Sequence, residues 1–256
     1  MIRSLIIAFQ MYSRIPMPQI EWKAENRRLS LCFFPLVGAV IGMLLMLWYM
    51  ISSRLGLGSF MFGAGAAALN IAVTGGIHLD GFCDTCDARA SWGDRERKLE
   101  ILSDSHIGAF AAIKLGIYLI LYTALMSELY TEYAAAAAAC GHVLSRSLSG
   151  LAAVTFRAAK KEGTLYSFSS IADRKSALFS LSFTAALSCC GMIAVNTYAG
   201  IVCIAAALIS MAYFRRMAYK EFGGITGDLA GWFLQVCELA TAAAAVFTYR
   251  ISEVIL

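Results

Sequence analysis

Residues 31–51 read LCFFPLVGAVIGMLLMLWYMI, and no charged side chain interrupts them. At about 1.5 Å per residue, a helix of this length crosses the ~30 Å hydrocarbon core of a bilayer. The rest of the 256-residue chain has a similar character, with 59% hydrophobic and only 15% charged residues. A soluble domain usually has about 25% charged residues, so the composition predicts that lipid surrounds most of the chain.

Further apolar segments predict six more crossings. They lie near residues 60–77, 107–126, 134–154, 177–195, 199–214 and 230–249. The segment 199–214 is short for a span. Residues 1–15 indicate an amphipathic helix in the membrane interface, ended by Pro16 and Pro18. We therefore predict an all-α polytopic membrane protein with about seven transmembrane helices (six to eight), built as one membrane-embedded domain over residues 1–256.

The basic residues lie on alternate connecting segments. Segments 1–30, 78–106, 155–176 and 215–229 hold 17 of the 21 Lys and Arg residues. Cytoplasmic loops are usually the positively charged ones, so the N-terminus and these four segments are predicted to face the cytoplasm. The net charge of +4 is small and gives no indication of a nucleic-acid partner.

Closely spaced aspartates follow the second apolar segment. Residues 75–87 read GGIHLDGFCDTCD, and on a helix Asp80, Asp84 and Asp87 share one face. Carboxylates this close repel one another, and a divalent cation would remove the conflict. Hard oxygen ligands favour Mg²⁺, Mn²⁺ or Ca²⁺ over zinc. The alternative interpretation is an acidic cap that only ends the span.

Cys83 and Cys86 form a CxxC inside the same run. A zinc site would need a second Cys or His pair at suitable spacing, and a redox site would need a thioredoxin-like context. The sequence shows neither, so we interpret both cysteines as packing residues.

A second glycine pair, Gly223 and Gly224, precedes Asp228 by the interval that separates Gly75 and Gly76 from Asp80. Glycine pairs let a backbone turn sharply or approach a ligand closely. Free backbone N–H groups near a helix start also suit phosphate. The two loops are predicted to share one substrate, although a chance match would give the same spacing.

Four charged side chains raise further hypotheses. Asp104, with His106 beside it, is placed to add a ligand or a proton-transfer group, or simply to cap the next helix. Lys114, Arg146 and Glu238 lie inside predicted spans at similar depth, where a charge is costly. We expect them to meet in a polar cavity, with Arg146 either binding a phosphate or pairing with Glu238. Lys114 could instead extend to the interface.

These residues resemble the motifs of the cobalamin synthase family, the adenosylcobinamide-GDP ribazoletransferases. The motifs occur in the family's order over nearly the whole chain, and the first is long and specific. The first motif is matched by Gly75, Gly76, His78, Leu79, Asp80, Gly81, Asp84 and Asp87. The second is matched by Asp104, Ser105, Ile107, Gly108 and Phe110. The third is matched by Gly223, Gly224, Thr226, Gly227, Asp228 and Glu238, and a middle Ser-Arg pair by Ser145 and Arg146.

The resemblance implies a transferase that joins adenosylcobinamide-GDP to α-ribazole or its 5′-phosphate. The products would be adenosylcobalamin, or its 5′-phosphate, and GMP. It implies Mg²⁺ as cofactor, a corrinoid nucleotide and a ribazole as substrates, and a place in the cytoplasmic (inner) membrane. It leaves open a homo-oligomer or association with other enzymes of cobalamin synthesis.

The resemblance also implies roles for individual residues, within segments 75–87, 100–110 and 223–238 on the cytoplasmic side. The metal ligands would be Asp80, Asp84 and Asp228. Asp87 would be a further ligand or would contact the metal's ligands without binding the metal. Phosphate and substrate would contact Gly75, Gly76, Arg146, Gly223, Gly224 and Thr226. The catalytic candidates are His78, Asp104 and Glu238.

Three other functions are weaker interpretations of the same residues. A CDP-alcohol phosphotransferase would have Ala-Arg where Asp84 and Thr85 stand, four residues after Asp80. A transporter would bind near the midplane within repeated halves, whereas these carboxylates lie at one face. A structural scaffold would not explain aligned aspartates together with buried Arg and Glu.

Overall fold

The computed structural model describes residues 1–104 and 106–255, without the side chains of residues 252–255. Within these ranges the chain forms twelve α-helices: α1 (Ile2–Tyr12), α2 (Ala24–Arg27), α3 (Phe34–Arg54), α4 (Ser59–Thr74), α5 (Ile77–Ala90), α6 (Arg95–Ile101), α7 (Ala109–Glu128), α8 (Glu132–Thr155), α9 (Gly163–Ser169), α10 (Arg174–Val195), α11 (Thr197–Met217) and α12 (Gly227–Ile255). A 3₁₀ turn, Ser30–Phe33, leads into α3, and a π-helical turn, Ala218–Phe222, follows α11. The described residues contain no strand, only an isolated parallel bridge between Ala158 and Ile225. The all-α prediction is therefore confirmed.

The long helices occupy the predicted spans. In the described part of the chain, five helical segments are long and apolar enough to cross a membrane: Ala24–Arg54, Ala109–Glu128, Arg174–Val195, Thr197–Phe222 and Gly227–Ile251. α4 and α5 together make a sixth, although they are bent by 96°. α8 covers the predicted segment 134–154 with 24 residues but is less apolar, because it carries Arg146, His142 and several serines. The segment 199–214 is not short, since α11 has 21 residues.

The outer helices expose apolar side chains, which is the pattern expected of a surface in contact with lipid. On α7, α10 and α11 the side chains of Ile120, Phe179 and Ile209 are 71%, 76% and 68% exposed. α12 is central by contrast, because Phe233 and Cys237 are completely buried. α12 packs against α5, α7, α8 and α11, so the core surrounds it.

The predicted interfacial helix exists as α1, which ends at Tyr12, before the two prolines. Ser13 follows the helix, and its hydroxyl donates to Phe9 O (2.7 Å). Phe9 packs against Val37 and Ile41 of α3 in a small apolar cluster. α1 is therefore anchored on the bundle by its apolar face.

Four basic segments that spans separate in the sequence meet at one end of the bundle. The hydrogen bonds that join them run from Asp173 N to Arg28 O (3.0 Å), from Ala159 N to Ile225 O (2.9 Å) and from Lys160 Nζ to Leu99 O (3.1 Å). We call this end, which carries segments 1–30, 78–106, 155–176 and 215–229, the loop end. At the opposite end Arg250 pairs with Glu128. The charge pattern correctly predicted which segments lie together.

Candidate active site

The first glycine pair forms the bend between α4 and α5. Gly75 and Gly76 have φ of +65° and +78°, a left-handed conformation that side chains with a Cβ rarely adopt. A Cβ on Gly75 would also overlap the side chain of Arg14. The bend places Asp80 in the first turn of α5 at the loop end.

The second glycine pair ties the start of α12 to the segment that follows α8. Ile225 N donates to Arg157 O (2.9 Å), and a Cβ on Gly224 would overlap that carbonyl. The hydroxyl of Thr226 accepts from Leu229 N (3.2 Å) and so caps α12. Asp228 consequently lies in the first turn of α12.

α5 and α12 cross at a glycine contact, and this crossing brings the two loops together. A Cβ on Gly81 would lie 2.7 Å from Asp228 O, and one on Gly231 would lie 3.2 Å from the backbone carbonyl of His78. Asp84 follows Asp80 by about one turn of α5. The carboxylates of Asp80 and Asp228 are both close enough to repel that of Asp84. We call Asp80, Asp84 and Asp228 the cleft aspartates.

Three neighbouring clefts line this crossing, each named here after one residue in its wall. The Arg14 cleft, of about 740 Å³, is lined by Arg14, Asp80 and Asp84. The His78 cleft, of about 140 Å³, is lined by His78, Asp80 and Asp228. The Lys160 cleft, of about 350 Å³, is lined by Lys160 and Asp228. Because Asp80 and Asp228 each line two clefts, the three form a continuous series.

His78 faces the middle of the series. Its ring is buried, 6.4 Å from the ring of Tyr12 and 5.9 Å from that of Phe34. Its Nε2 atom has no hydrogen-bond partner among the described residues. A buried nitrogen without a partner in the wall of a cleft is available to a ligand.

Asp87 lines none of the three clefts and bonds instead to the start of α7. Its two carboxylate oxygens accept from Gly108 N (2.6 Å) and Ala111 N (2.8 Å), so it caps α7. The cap suggested by the sequence, Asp104, is wrong, because the Asp104 carboxylate accepts from His106 N instead. With both oxygens engaged, Asp87 is better placed to position α7 than to bind a cation directly.

Asp104 is exposed and bonds locally. Its carboxylate accepts from His106 N (3.0 Å) and lies 2.7 Å from His106 Nδ1. The side-chain hydrogen bond with His106 lowers the pKa of Asp104. Asp104 lines none of the three clefts, so its predicted catalytic role has no support in the geometry. Ser105, of the same motif, lies outside the described residues.

Arg146 and Glu238 pair inside the bundle, away from the three clefts. Arg146 Nη1 donates to Glu238 Oε1, and Asn70 Nδ2 donates to Glu238 Oε2 (2.9 Å). Ser145 Oγ (3.1 Å) and His142 Nδ1 (3.2 Å) also lie against Glu238 Oε1. Of the two hypotheses for Arg146, pairing is the one that the structure shows.

This pairing bears on two site assignments made from the sequence. Arg146 is completely buried and Glu238 is 4% exposed. Neither residue lines the Arg14, His78 or Lys160 cleft. The pair is what a charge deep in an apolar bundle requires, although Arg146 Nε and Nη2 have no partner among the described residues. Phosphate binding by Arg146 and catalysis by Glu238 stay predictions.

Lys114 does not join this pair, contrary to the expectation from the sequence. Its side chain is on the exposed face of α7, while the buried Gln235 accepts a hydrogen bond from Tyr118. The similar depths of Lys114, Arg146 and Glu238 in the sequence did not reveal which way each helix face turns.

Two basic residues in the clefts were not singled out as site residues by sequence reasoning. Arg14 stands at the turn that follows α1, and Lys160 lies between α8 and α9. Lys160 is adjacent to Lys161, which is exposed and lines none of the three clefts. The sequence carries no signal that separates these two lysines.

The donor set of the cleft aspartates suits a hard cation that is shared with a phosphate substrate. Within the described chain, Asp80, Asp84 and Asp228 form no ion pair with Lys, Arg or His. No three His, Cys, Asp or Glu side chains in the described ranges lie close enough together to hold a metal ion by themselves. Mg²⁺ is usually bound by one or two carboxylates, waters and substrate phosphates, so an open arrangement fits it.

The chain matches a family model over nearly its full length. Residues 4–246 match the model described as cobalamin-5-phosphate synthase. An adenosylcobinamide-GDP ribazoletransferase of Lachnoclostridium phytofermentans is 42% identical over 96% of this chain and 94% of its own. Proteins with the same name from Clostridium botulinum strain Alaska E43 and Geobacillus sp. strain WCH70 are each 31% identical, over 96% and 91% of this chain and 98% and 91% of their own. No solved structure matches the chain.

Proposed function

This chain belongs to the cobalamin-5-phosphate synthase family, and we propose from that premise that it is an adenosylcobinamide-GDP ribazoletransferase. It joins adenosylcobinamide-GDP to α-ribazole, or to α-ribazole 5′-phosphate, and releases GMP. The observation that carries this is the set of cleft aspartates at the crossing of α5 and α12, which have no ion pair within the described residues and lie inside motifs that the family model covers. The matches do not favour a CDP-alcohol phosphotransferase or a transporter.

Chemically, the reaction replaces a phosphoanhydride bond of the GDP-linked substrate by a phosphate ester bond to ribazole. A ribazole hydroxyl oxygen forms a bond to the phosphorus that carries the cobinamide, and the bond from that phosphorus to GMP breaks. The proton of the hydroxyl passes to a base. Phosphoryl transfer depends mainly on positioning and on neutralising charge, and the three connected clefts can position both substrates around Asp80 and Asp228.

We propose Mg²⁺ as the cofactor, held by the cleft aspartates together with the pyrophosphate of the substrate. When bound, it would neutralise the charge that develops on the phosphate oxygens. Asp87 stabilises the start of α7 beside the site through its two backbone hydrogen bonds. His78 is the proposed proton acceptor, because it lines the cleft between Asp80 and Asp228 and its buried Nε2 has no partner in the described part of the chain.

The proposed location is the cytoplasmic membrane, with the N-terminus and the active site facing the cytoplasm. The contact between Arg14 N and Val73 O joins the N-terminal segment to the first glycine bend. The segments rich in Lys and Arg gather at this same end, and basic loops usually stay in the cytoplasm. A homo-oligomer and association with other enzymes of the pathway remain predictions.

The experiment that tests this function is GMP release by the detergent-purified protein. It would be given adenosylcobinamide-GDP and α-ribazole 5′-phosphate, with Mg²⁺ or with EDTA. We expect GMP and a cobalamin product with Mg²⁺ and neither with EDTA. A folded sample that released no GMP would contradict the function, and undiminished release in EDTA would contradict the metal.

A further inference from the structure

The Lys160 cleft carries a positively charged group held in place by the chain. Lys160 Nζ donates to Leu99 O (3.1 Å) and to Ser103 Oγ (3.2 Å). An ammonium has three donors, so these contacts leave one donor for a ligand. The two bonds connect the segment after α8 to the end of α6, which keeps the ammonium at the cleft wall.

The rest of this cleft suits a phosphorylated ligand of moderate size. Thr164 and Tyr166 contribute hydroxyl groups to its lining, which also includes the carboxylates of Glu162 and Asp228. Hydroxyls and an ammonium are common phosphate ligands. The cleft volume of about 350 Å³ is within the range of small-molecule sites, roughly 300–1,000 Å³.

The series of clefts provides two separate positions, one for each substrate. The Arg14 cleft, at about 740 Å³, is the larger end, and the Lys160 cleft, at about 350 Å³, is the smaller. The attacking and leaving oxygens of a phosphoryl transfer lie roughly in line across the phosphorus. The two substrates must therefore approach from different sides, and the corrinoid nucleotide is much the larger of the two.

We propose that the Lys160 cleft is the acceptor site and that Lys160 binds the 5′-phosphate of α-ribazole 5′-phosphate. This inference rests on the proposed function. The corrinoid nucleotide then occupies the Arg14 cleft, with its phosphates near Asp80 and Asp84. Lys160 is a specificity-determining residue, because it distinguishes the phosphorylated acceptor from α-ribazole itself.

Lys160→Gln tests this proposal through a ratio of two acceptors. We would measure kcat/KM for α-ribazole 5′-phosphate and for α-ribazole with the same enzyme sample. Loss of a charge-assisted hydrogen bond should lower the ratio of these two values by about tenfold to a hundredfold. The change should appear mainly as a higher KM for the phosphorylated acceptor.

Two further variants separate charge recognition from structural damage. Lys161→Gln removes the neighbouring charge, which is exposed and outside the three clefts, and should leave the ratio unchanged. Lys160→Arg keeps a cation and should restore most of the ratio.

The outcomes are distinguishable from failure of the proposed function. If Lys160→Gln lowered kcat/KM equally for both acceptors, Lys160 would only anchor α6 and the proposal would be overturned. An unchanged ratio would overturn it as well. If the unaltered enzyme released GMP with neither acceptor, the proposed function itself would fail.

Discussion

The cleft aspartates and Glu238 are carboxylates on the same helical bundle with opposite surroundings. Glu238 is buried and contacts Arg146, His142, Ser145 and Asn70. Asp80, Asp84 and Asp228 line clefts and repel one another, without an ion pair in the described chain.

The difference shows how a motif residue is assigned to structure or to chemistry. A buried carboxylate whose charge is already neutralised has little left for a ligand. Adjacent carboxylates at a cleft that form no ion pair within the described chain are available to bind a cation. Both kinds occur in the family motifs, so membership of a motif alone does not separate them.

The largest expected effect is the loss of turnover when one of the cleft aspartates is replaced. Asp84→Asn and Asp228→Asn should each reduce GMP release at least about a thousandfold, or ~4 kcal/mol of transition-state stabilisation. The melting temperature in detergent should stay the same or rise, because each change removes like-charge repulsion.

Glu96→Gln is the matched control for these two variants, since Glu96 is an exposed carboxylate of α6 at the loop end. It should keep full turnover. Retained turnover in Asp84→Asn or Asp228→Asn would refute the metal assignment, and unfolding would show that these charges are structural.

The second effect is on stability, at the buried pair. Glu238→Gln leaves the Arg146 charge buried without its counter-ion, which should cost about 3 kcal/mol of unfolding free energy. The measurement is the melting temperature, together with the yield of folded protein. A fully stable Glu238→Gln would contradict the structural role.

The double variant Arg146→Met with Glu238→Leu sharpens this test. Replacing both charges by apolar side chains should recover much of the lost stability and keep GMP release. If the double variant folded well but made no product, Arg146 would contact substrate and its structural assignment would be wrong.

A smaller effect is expected at Asp87, which belongs to the aspartate motif by sequence but not by contact. Asp87→Ala removes the cap of α7 and should cost about 1–2 kcal/mol of stability. Turnover of the folded enzyme should fall less than tenfold. A loss as large as that of Asp84→Asn, with an intact fold, would return Asp87 to the metal ligands.

The smallest effect is expected at Lys114, which contacts neither group of carboxylates. Lys114→Gln should change stability by less than about 0.5 kcal/mol, as for most surface positions. Turnover should also remain near that of the unaltered enzyme. A large loss of stability or of turnover would mean that Lys114 contacts the cleft aspartates or Glu238.

The sequence by itself determined the class of the protein and the general position of its chemistry. Apolar segments of about 20 residues predict membrane helices, because each residue adds a constant rise and lipid tolerates few charges. The alternation of basic segments predicted which loops share an end. The spacing of Asp80, Asp84 and Asp87 predicted a carboxylate face, because the helix period is local.

Only the tertiary structure decided which groups on these helices meet. Asp228 joins Asp80 and Asp84 because Gly81 and Gly231 let α5 and α12 cross closely. Asp87 instead meets the start of α7, and Arg146 meets Glu238 on a different helix. The helix period determines which residues share a face of one helix. Which other helix packs against that face depends on contacts between residues far apart in the chain.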